Sequence, residues 1–388
     1  MKKSNIILLI VVLFIIGAIY YLESGKVKPA DLDELNQEQG LDQPVSEKKN
    51  GADMPPMPEV EKQDKPVFKD GRWPLAPELV GLTGYINTEE GIKIADFEGK
   101  VVLVDFWTYS CINCIRTLPH LTAWHEKYAD KGLVIIGVHT PEFEFEKDRE
   151  NVINAMEKHG VEYIVVQDNN YAAWRNYKNR FWPRKYLIDT DGYIRYDHIG
   201  EGAYAETEKK IQELLAEINS EVLDEELTGI EDKTPKVKTT PELYAGYDFA
   251  LPRGQDIGND GGLQPDKNVD YQLPPTLKKD FIYLEGSWLS NSDNLEAKEE
   301  GSILLGFTAA SVNIVADNLA EPVEMEVLLD GKYIEQSKAG NDVQFDGSRS
   351  FVLVDEPRLY NIVDNGLIES ELQLRVTGGF TFNAFTFG

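Results

Sequence analysis

Cysteine is nearly missing: the 388 residues hold two, Cys111 and Cys114, spaced as Cys-x-x-Cys, so no sulfur is left over for a structural disulfide framework. Basic residues are scarce as well, with 39 Lys and Arg against 67 Asp and Glu and a formal net charge of −28. That imbalance excludes nucleic acid as a partner, since such binding needs Lys and Arg clustered on one face. The acidity serves solubility and carries no catalytic meaning. A second Cys pair is absent, so the four ligands of a structural zinc would have to include His120 and His125, and no metal is expected. Long apolar runs are absent too, apart from one near the N-terminus. What is present, 42% hydrophobic residues over this length, suffices for two ordinary domains with cores of their own.

The single long apolar run, Ile6 to Leu22, follows Met-Lys-Lys-Ser-Asn. At about 1.5 Å per helical residue it just reaches across a thin bilayer core. It ends Gly-Ala-Ile-Tyr-Tyr-Leu-Glu, without the small-residue pattern of a cleavage site, and Tyr20 and Tyr21 suit a membrane interface. Residues 1–22 are therefore expected to be a retained transmembrane signal anchor, with membrane lipid as its partner. Lys2 and Lys3 on one side face Lys26 and Lys28 on the other, and the N-terminus is placed inside, which leaves the remaining domains extracytoplasmic. Residues 23–72 are polar, rich in Glu, Asp, Lys, Gln and Pro, and read as a flexible acidic linker.

From 73 to 220 strands and helices alternate, as in an α/β domain. Val101 to Trp107 and Leu133 to His139 are near-continuous apolar runs, the mark of strands covered on both faces. Tyr163 to Val166 and Lys185 to Ile188 read as further strands, and Asp189-Thr-Asp-Gly192 as the turn of a hairpin into Tyr193 to Tyr196. Helices are expected over Asp148 to His159 and Tyr171 to Arg180. A closing helix, Glu206 to Ile218, puts Ile211, Leu214, Leu215 and Ile218 on one stripe.

Cys111-Ile-Asn-Cys114 comes directly after a buried strand and a short Thr-Tyr-Ser turn, and helical periodicity resumes at once through Leu118, Leu121 and His125. The first cysteine thus opens a helix, where unpaired N–H groups favour a thiolate and lower the thiol from ~8.5. Cys111 is the expected nucleophile, and Cys114, one turn on, the resolving thiol. The redox-active Cys111–Cys114 disulfide then does the chemistry with no cofactor. Asp105 sits in the apolar strand, where burial raises a carboxyl, and is the candidate proton acceptor for Cys114; the competing reading is an Asp on a solvated strand face.

These residues resemble the thioredoxin superfamily. Val104-Asp-Phe-Trp107 is similar to its strand before the cysteines, Pro119 to its helix-kinking proline, and Phe181-Trp-Pro-Arg184 lies where the family carries a cis-proline. Phe106 to Cys114, Gly137 to Phe143, Gln167 to Tyr171 and Gly200 to Tyr204 resemble more narrowly the soluble part of DipZ-type proteins, thioredoxin-like reductases often fused to a CcdA-type membrane domain. The resemblance implies a cis-Pro183 beside the dithiol, with the Trp182 backbone free to pair with an extended client strand. Trp182, Pro183, Trp107, Ile112 and Asn113 form the implied substrate-binding set. Ile112 and Asn113 replace thioredoxin's Gly-Pro, and Trp182 is larger than the family's usual residue. His139 and Glu142, in a family-like loop at a strand end, are accessory candidates, with a structural role as the alternative.

Residues 221–245, charged and Pro-containing, read as a second linker. Over 246–388 short alternating strands recur at Phe281–Leu284, Ile303–Phe307, Val312–Ala316, Met325–Leu329, Phe351–Val354, Leu372–Val376 and Phe380–Phe387, with Asp330-Gly331 as a hairpin turn. The fold expected is an all-β sandwich or jelly roll. Gly286-Ser-Trp288, Leu328-Leu-Asp-Gly331, Glu356 to Tyr360 and Ala384 to Gly388 resemble the carbohydrate-binding-module-like domain of DipZ-type proteins. A carbohydrate ligand would use Trp288, Arg358 and Tyr360, which are equally read as packing residues.

The expectation is therefore a membrane-anchored, extracytoplasmic thiol-disulfide oxidoreductase. It reduces protein disulfides of client proteins and is reset, by the resemblance, by a CcdA-like membrane electron carrier. A disulfide oxidase or isomerase, a thiol peroxidase-like antioxidant, and a glycan- or cell-wall-binding module stand as alternatives.

Overall fold

A computed structural model describes Met57, Pro58 and residues 65–388. The Ile6–Leu22 run and nearly all of the first linker lie outside those residues. Among the described residues no helix is long and apolar enough to cross a membrane. The last part of that linker is structured, against expectation. Phe68–Lys69 (β1) pairs with Trp73–Pro74 (β2), and the Lys69 ammonium, 2.9 Å from Asp189 and 2.6 Å from Asp191, pins it to the domain that follows.

That domain is built on six strands: β3 (Gly84–Ile86), β4 (Val101–Trp107), β5 (Leu133–His139), β6 (Ile164–Gln167), β7 (Arg184–Ile188) and β8 (Ile194–Ile199). They lie in the order β3-β6-β5-β4-β7-β8. β4, β5 and β6 run parallel, while β3, β7 and β8 are antiparallel to their neighbours. Every residue of β4 is buried, because helices cover both faces of the centre. Those helices are α1 (Ile112–Tyr128), α2 (Arg149–His159), α3 (Ala172–Asn176) and α4 (Tyr204–Leu215). This is a thioredoxin-like fold, with its central strand aimed straight at the Cys pair.

Helix ends differ from the sequence reading for local reasons. α2 begins one residue late because Asp148 is its cap, accepting from the Glu150 N–H at 2.8 Å. α3 is half the length expected: Lys178 turns to φ +51°, and the Asn179 side chain takes the N–H of Arg180 at 2.9 Å, which draws the chain into a loop. α4 stops at Leu215, so Ile211, Leu214 and Leu215 are buried while Ile218 is 48% exposed beyond the end of the stripe.

The C-terminal part is largely β. Its strands are β9 (Leu243–Tyr244), β10 (Asn268–Tyr271), β11 (Ile282–Ser290), β12 (Leu295–Ala297), β13 (Gly301–Asn318), β14 (Val323–Leu329), β15 (Lys332–Tyr333), β16 (Gln344–Asp346), β17 (Arg349–Val354), β18 (Arg358–Val376) and β19 (Phe380–Phe387). They are joined by hydrogen bonds into one continuous sheet. The separate runs Ile303–Phe307 and Val312–Ala316 are one strand, β13, which shifts register near Ala309 to Asn313 and bends there. β9 lies inside the expected linker, pairing with β19 through Leu243 and Tyr244.

The sugar-binding candidates sit in or against this core. Trp288 is fully buried with its Nε1 donating to the Glu285 carbonyl at 2.9 Å, and Tyr360 is fully buried with its hydroxyl donating to the Glu356 carbonyl at 2.6 Å. Arg358 lies over the Tyr360 ring at 3.7 Å and pairs with Asp342 at 2.8 Å. None of the three presents a free face to a sugar. Trp288→Ala is accordingly expected to cost about 3–5 kcal/mol of stability, measured by denaturant unfolding, as a cavity in this core.

Candidate active site

β4 delivers Thr108-Tyr-Ser110 and then Cys111, the residue capping α1. The turn is held from beneath by Glu146, a fully buried carboxylate that accepts from the Ser110 hydroxyl at 2.6 Å, the Ser110 N–H at 3.3 Å and the Phe143 N–H at 2.9 Å. Hydrogen bonds of this kind replace the water such a group loses on burial. Nothing in the run Glu-Phe-Glu-Phe-Glu-Lys distinguishes Glu146 from its solvated neighbours, and the sequence reading misses it.

The two cysteines are unbonded thiols, Cys111 at the rim with 9% exposure and Cys114 beneath it with 1%. The expectation of a lowered Cys111 thiol is not met. A hydrogen bond from Cys114 pulls it down, but burial and the carboxylates Glu242 and Glu142 outweigh that bond and push it up. The helix start acts on a sulfur that the C-terminal domain has roofed over, and charge repulsion with desolvation prevails over the dipole. Cys114 is pushed well up, by burial first and then by Cys111.

Asp105 is buried, and neither carboxylate oxygen has a hydrogen-bond partner. Burial raises it to about 7, with Lys185 pulling the other way. Lys185 lies directly across the β4–β7 pair from Asp105, so both side chains are on one face of the sheet. It is buried as well, its ammonium donating to the Gly200 carbonyl at 3.0 Å. The sequence reading does not single out Lys185; a lysine opening the run Lys-Tyr-Leu-Ile is the signal it leaves unused.

The Trp182–Pro183 peptide is cis. Trp182 is half-buried, anchored through Nε1 to the Thr140 carbonyl at 3.0 Å and packed on Trp174 at 4.3 Å between rings. Trp107 is fully buried and meets His139 edge-on at 5.2 Å, so it is a floor residue rather than a contact surface. Ile112 is half-buried against an apolar cluster that includes Phe143, Phe249, Val315 and Ala384. Asn113 accepts from Arg116 at 2.9 Å. Cys111, Asn113, Glu142, Trp182, Glu242 and Tyr244 line one cavity.

His139 is fully buried and stacked on Tyr109, and burial lowers it to about 3, so it stays neutral at ordinary pH and cannot supply protons. Glu142 does face the cavity. Its carboxylate accepts from the Tyr244 hydroxyl at 2.8 Å, and burial raises it to about 8. Among the described residues no group of three or more His, Cys, Asp or Glu side chains could hold a metal ion.

A dithiol at the start of a helix, a buried carboxyl in the strand that leads to it and the Trp182 loop beside it, on this sheet, define a thioredoxin-like thiol-disulfide oxidoreductase. Residues 66–215 match the Redoxin family and residues 240–388 the family described as thioredoxin like C-terminal domain. Within that class the chain is DipZ-like: it is 35% identical over 319 residues to Protein DipZ of Mycobacterium tuberculosis, covering 81% of this chain and 43% of that one. The chain thus spans less than half the length of the DipZ relatives it matches. It is also 28% identical over 141 residues to the thiol-disulfide oxidoreductase YkuV of Bacillus subtilis, covering 36% of this chain and 94% of that protein. The thiol-disulfide oxidoreductase ResA of Bacillus thuringiensis is 28% identical over 127 residues, 33% of this chain and 68% of that one.

Proposed function

We propose that this protein reduces disulfides of client proteins outside the cytoplasm, held to the membrane by the Ile6–Leu22 segment and reset by a CcdA-like electron carrier. Attack by Cys111 forms a mixed disulfide, and Cys114, losing its proton to Asp105, displaces the client and closes the Cys111–Cys114 disulfide. What supports the reducing direction is the setting of Cys111, 9% exposed in a cavity it shares with Glu142 and Glu242, where burial and the two carboxylates push its thiol up. Strong oxidants owe their potential to a reduced form stabilised as a low-pKa thiolate. A dithiol denied that stabilisation gives up its electrons more readily.

The midpoint potential checks this reading. Equilibration of the full chain against glutathione or dithiothreitol buffers, followed by thiol quantification, should place the pair at or below thioredoxin's value of ~−270 mV. A value close to ~−120 mV would make the protein an oxidase instead.

A further inference from the structure

The C-terminal domain does more than shield the dithiol. Tyr244, on β9, points its hydroxyl between two carboxylates, 2.8 Å from Glu142 of the thioredoxin-like domain and 3.3 Å from Glu242 of its own segment. Tyr244 is held there by its ring, stacked on Phe249 at 5.7 Å and covered by the Arg253 guanidinium at 4.3 Å. A phenol has one proton to donate. With both carboxylates ionised, one of them would face the phenol oxygen without a hydrogen between them, in a pocket where like charges are poorly screened. Two carboxyls placed around one phenol in this way favour protonation of one of them. All three side chains line the same cavity as Cys111.

We propose that Glu142, Glu242 and Tyr244 form a proton store shared between the two domains, which takes the proton of Cys111 as it attacks and returns it to the departing client thiolate. The inference rests on the disulfide-reductase reading given above. The Cys111 S–H proton passes to the ionised carboxylate. The Cys111 sulfur then bonds to one client sulfur as the client S–S bond breaks, and the leaving thiolate takes the proton back. Cys114, its proton on Asp105, next displaces the second client sulfur, which leaves as a thiolate while the Cys111–Cys114 bond forms. The client disulfide gains two electrons and the dithiol is oxidised to a disulfide.

Electrostatics fit this task. Burial first, then Glu242 and Glu146, raise Glu142 to about 8, with Arg253 and the Tyr244 hydrogen bond pulling it back. Burial also raises Glu242, opposed by Tyr244, Arg253 and Arg116, the last of which is itself paired with Glu201 at 2.7 Å. Tyr171 is pushed up by burial first and then by the Glu142 charge. A group exchanging its proton close to neutral pH is suited to both halves of the transfer.

The test is single-turnover oxidation of the reduced full chain across the pH range, with oxidised glutathione and separately with an aromatic disulfide whose thiolate leaves unprotonated. Glu142→Gln, Glu242→Gln and Tyr244→Phe are compared with wild type; the last keeps the ring packing, so one variant stays folded even where a glutamine disturbs the interface. With glutathione the variants should lose about 10²-fold at neutral pH and the lower of two inflections in the rate profile. With the aromatic disulfide the loss should be clearly smaller, since that leaving group needs no acid and only removal of the Cys111 proton is impaired. If the carboxylates merely repel the Cys111 thiolate, their removal speeds both reactions equally and leaves the inflections in place, which overturns the proposal. A wild type inert toward both disulfides would instead overturn the reductase reading beneath it.

Discussion

Cys111→Ser is expected to abolish disulfide reduction, by on the order of 10⁴-fold or more, whereas Cys114→Ser should complete the first exchange and stall as a mixed disulfide. The asymmetry follows from access. Cys111 lines the cavity together with Tyr244 and Trp182, while Cys114 is buried in a core cluster that includes Leu118 and Tyr163. No client sulfur reaches Cys114 until Cys111 has carried it there. Mass spectrometry under non-reducing conditions reads the outcome: a covalent adduct on Cys111 in the Cys114→Ser variant and none in Cys111→Ser. Equal behaviour of the two variants would remove the distinction between nucleophile and resolving thiol.

The parts of the site that lie close together in the chain can be read from it, and those assembled across the chain cannot. β4 and β5 announce themselves because a strand covered on both faces has no polar alternation to keep. The step from that strand through a three-residue turn into a helix places the Cys pair with no help from tertiary structure. Asp105 is legible for the same reason, as the one carboxyl in an otherwise apolar strand. The ionisation of Cys111 is not, because the carboxylates that oppose it arrive from elsewhere in the chain: Glu142 from the loop after β5, and Glu242 from a segment that reads as linker. Glu146 looks like one more solvated acid until the Ser110 turn closes over it. Trp288 and Tyr360 carry the composition of a sugar platform, and only their packing within the core of the C-terminal sheet shows that they face inward.

Asp105→Asn should slow the resolving step by about 10²-fold or more and at the same time flatten the dependence of stability on pH. Cys114 cannot attack while protonated, and burial pushes its thiol well up, so a nearby acceptor determines the rate. The stability effect follows from the same burial. The folded-state value of Asp105 is about 7 against an ordinary 3.8, so between those values the folded protein binds more protons than the unfolded chain. Stability is therefore lost as pH rises through that window, by about 2–3 kcal/mol between pH ~5 and pH ~8 for such a shift. The asparagine variant lacks this loss, whatever its own burial costs at a single pH. Lys185→Met should act in the opposite sense on the carboxyl, removing the nearby cation that pulls it down and moving its titration to higher pH. Denaturant unfolding at the two pH values, alongside quenched-flow trapping of the mixed disulfide, reads both effects on the same proteins. A parallel pH dependence in wild type and Asp105→Asn would mean that this carboxyl is already ionised at low pH and is no proton acceptor for Cys114.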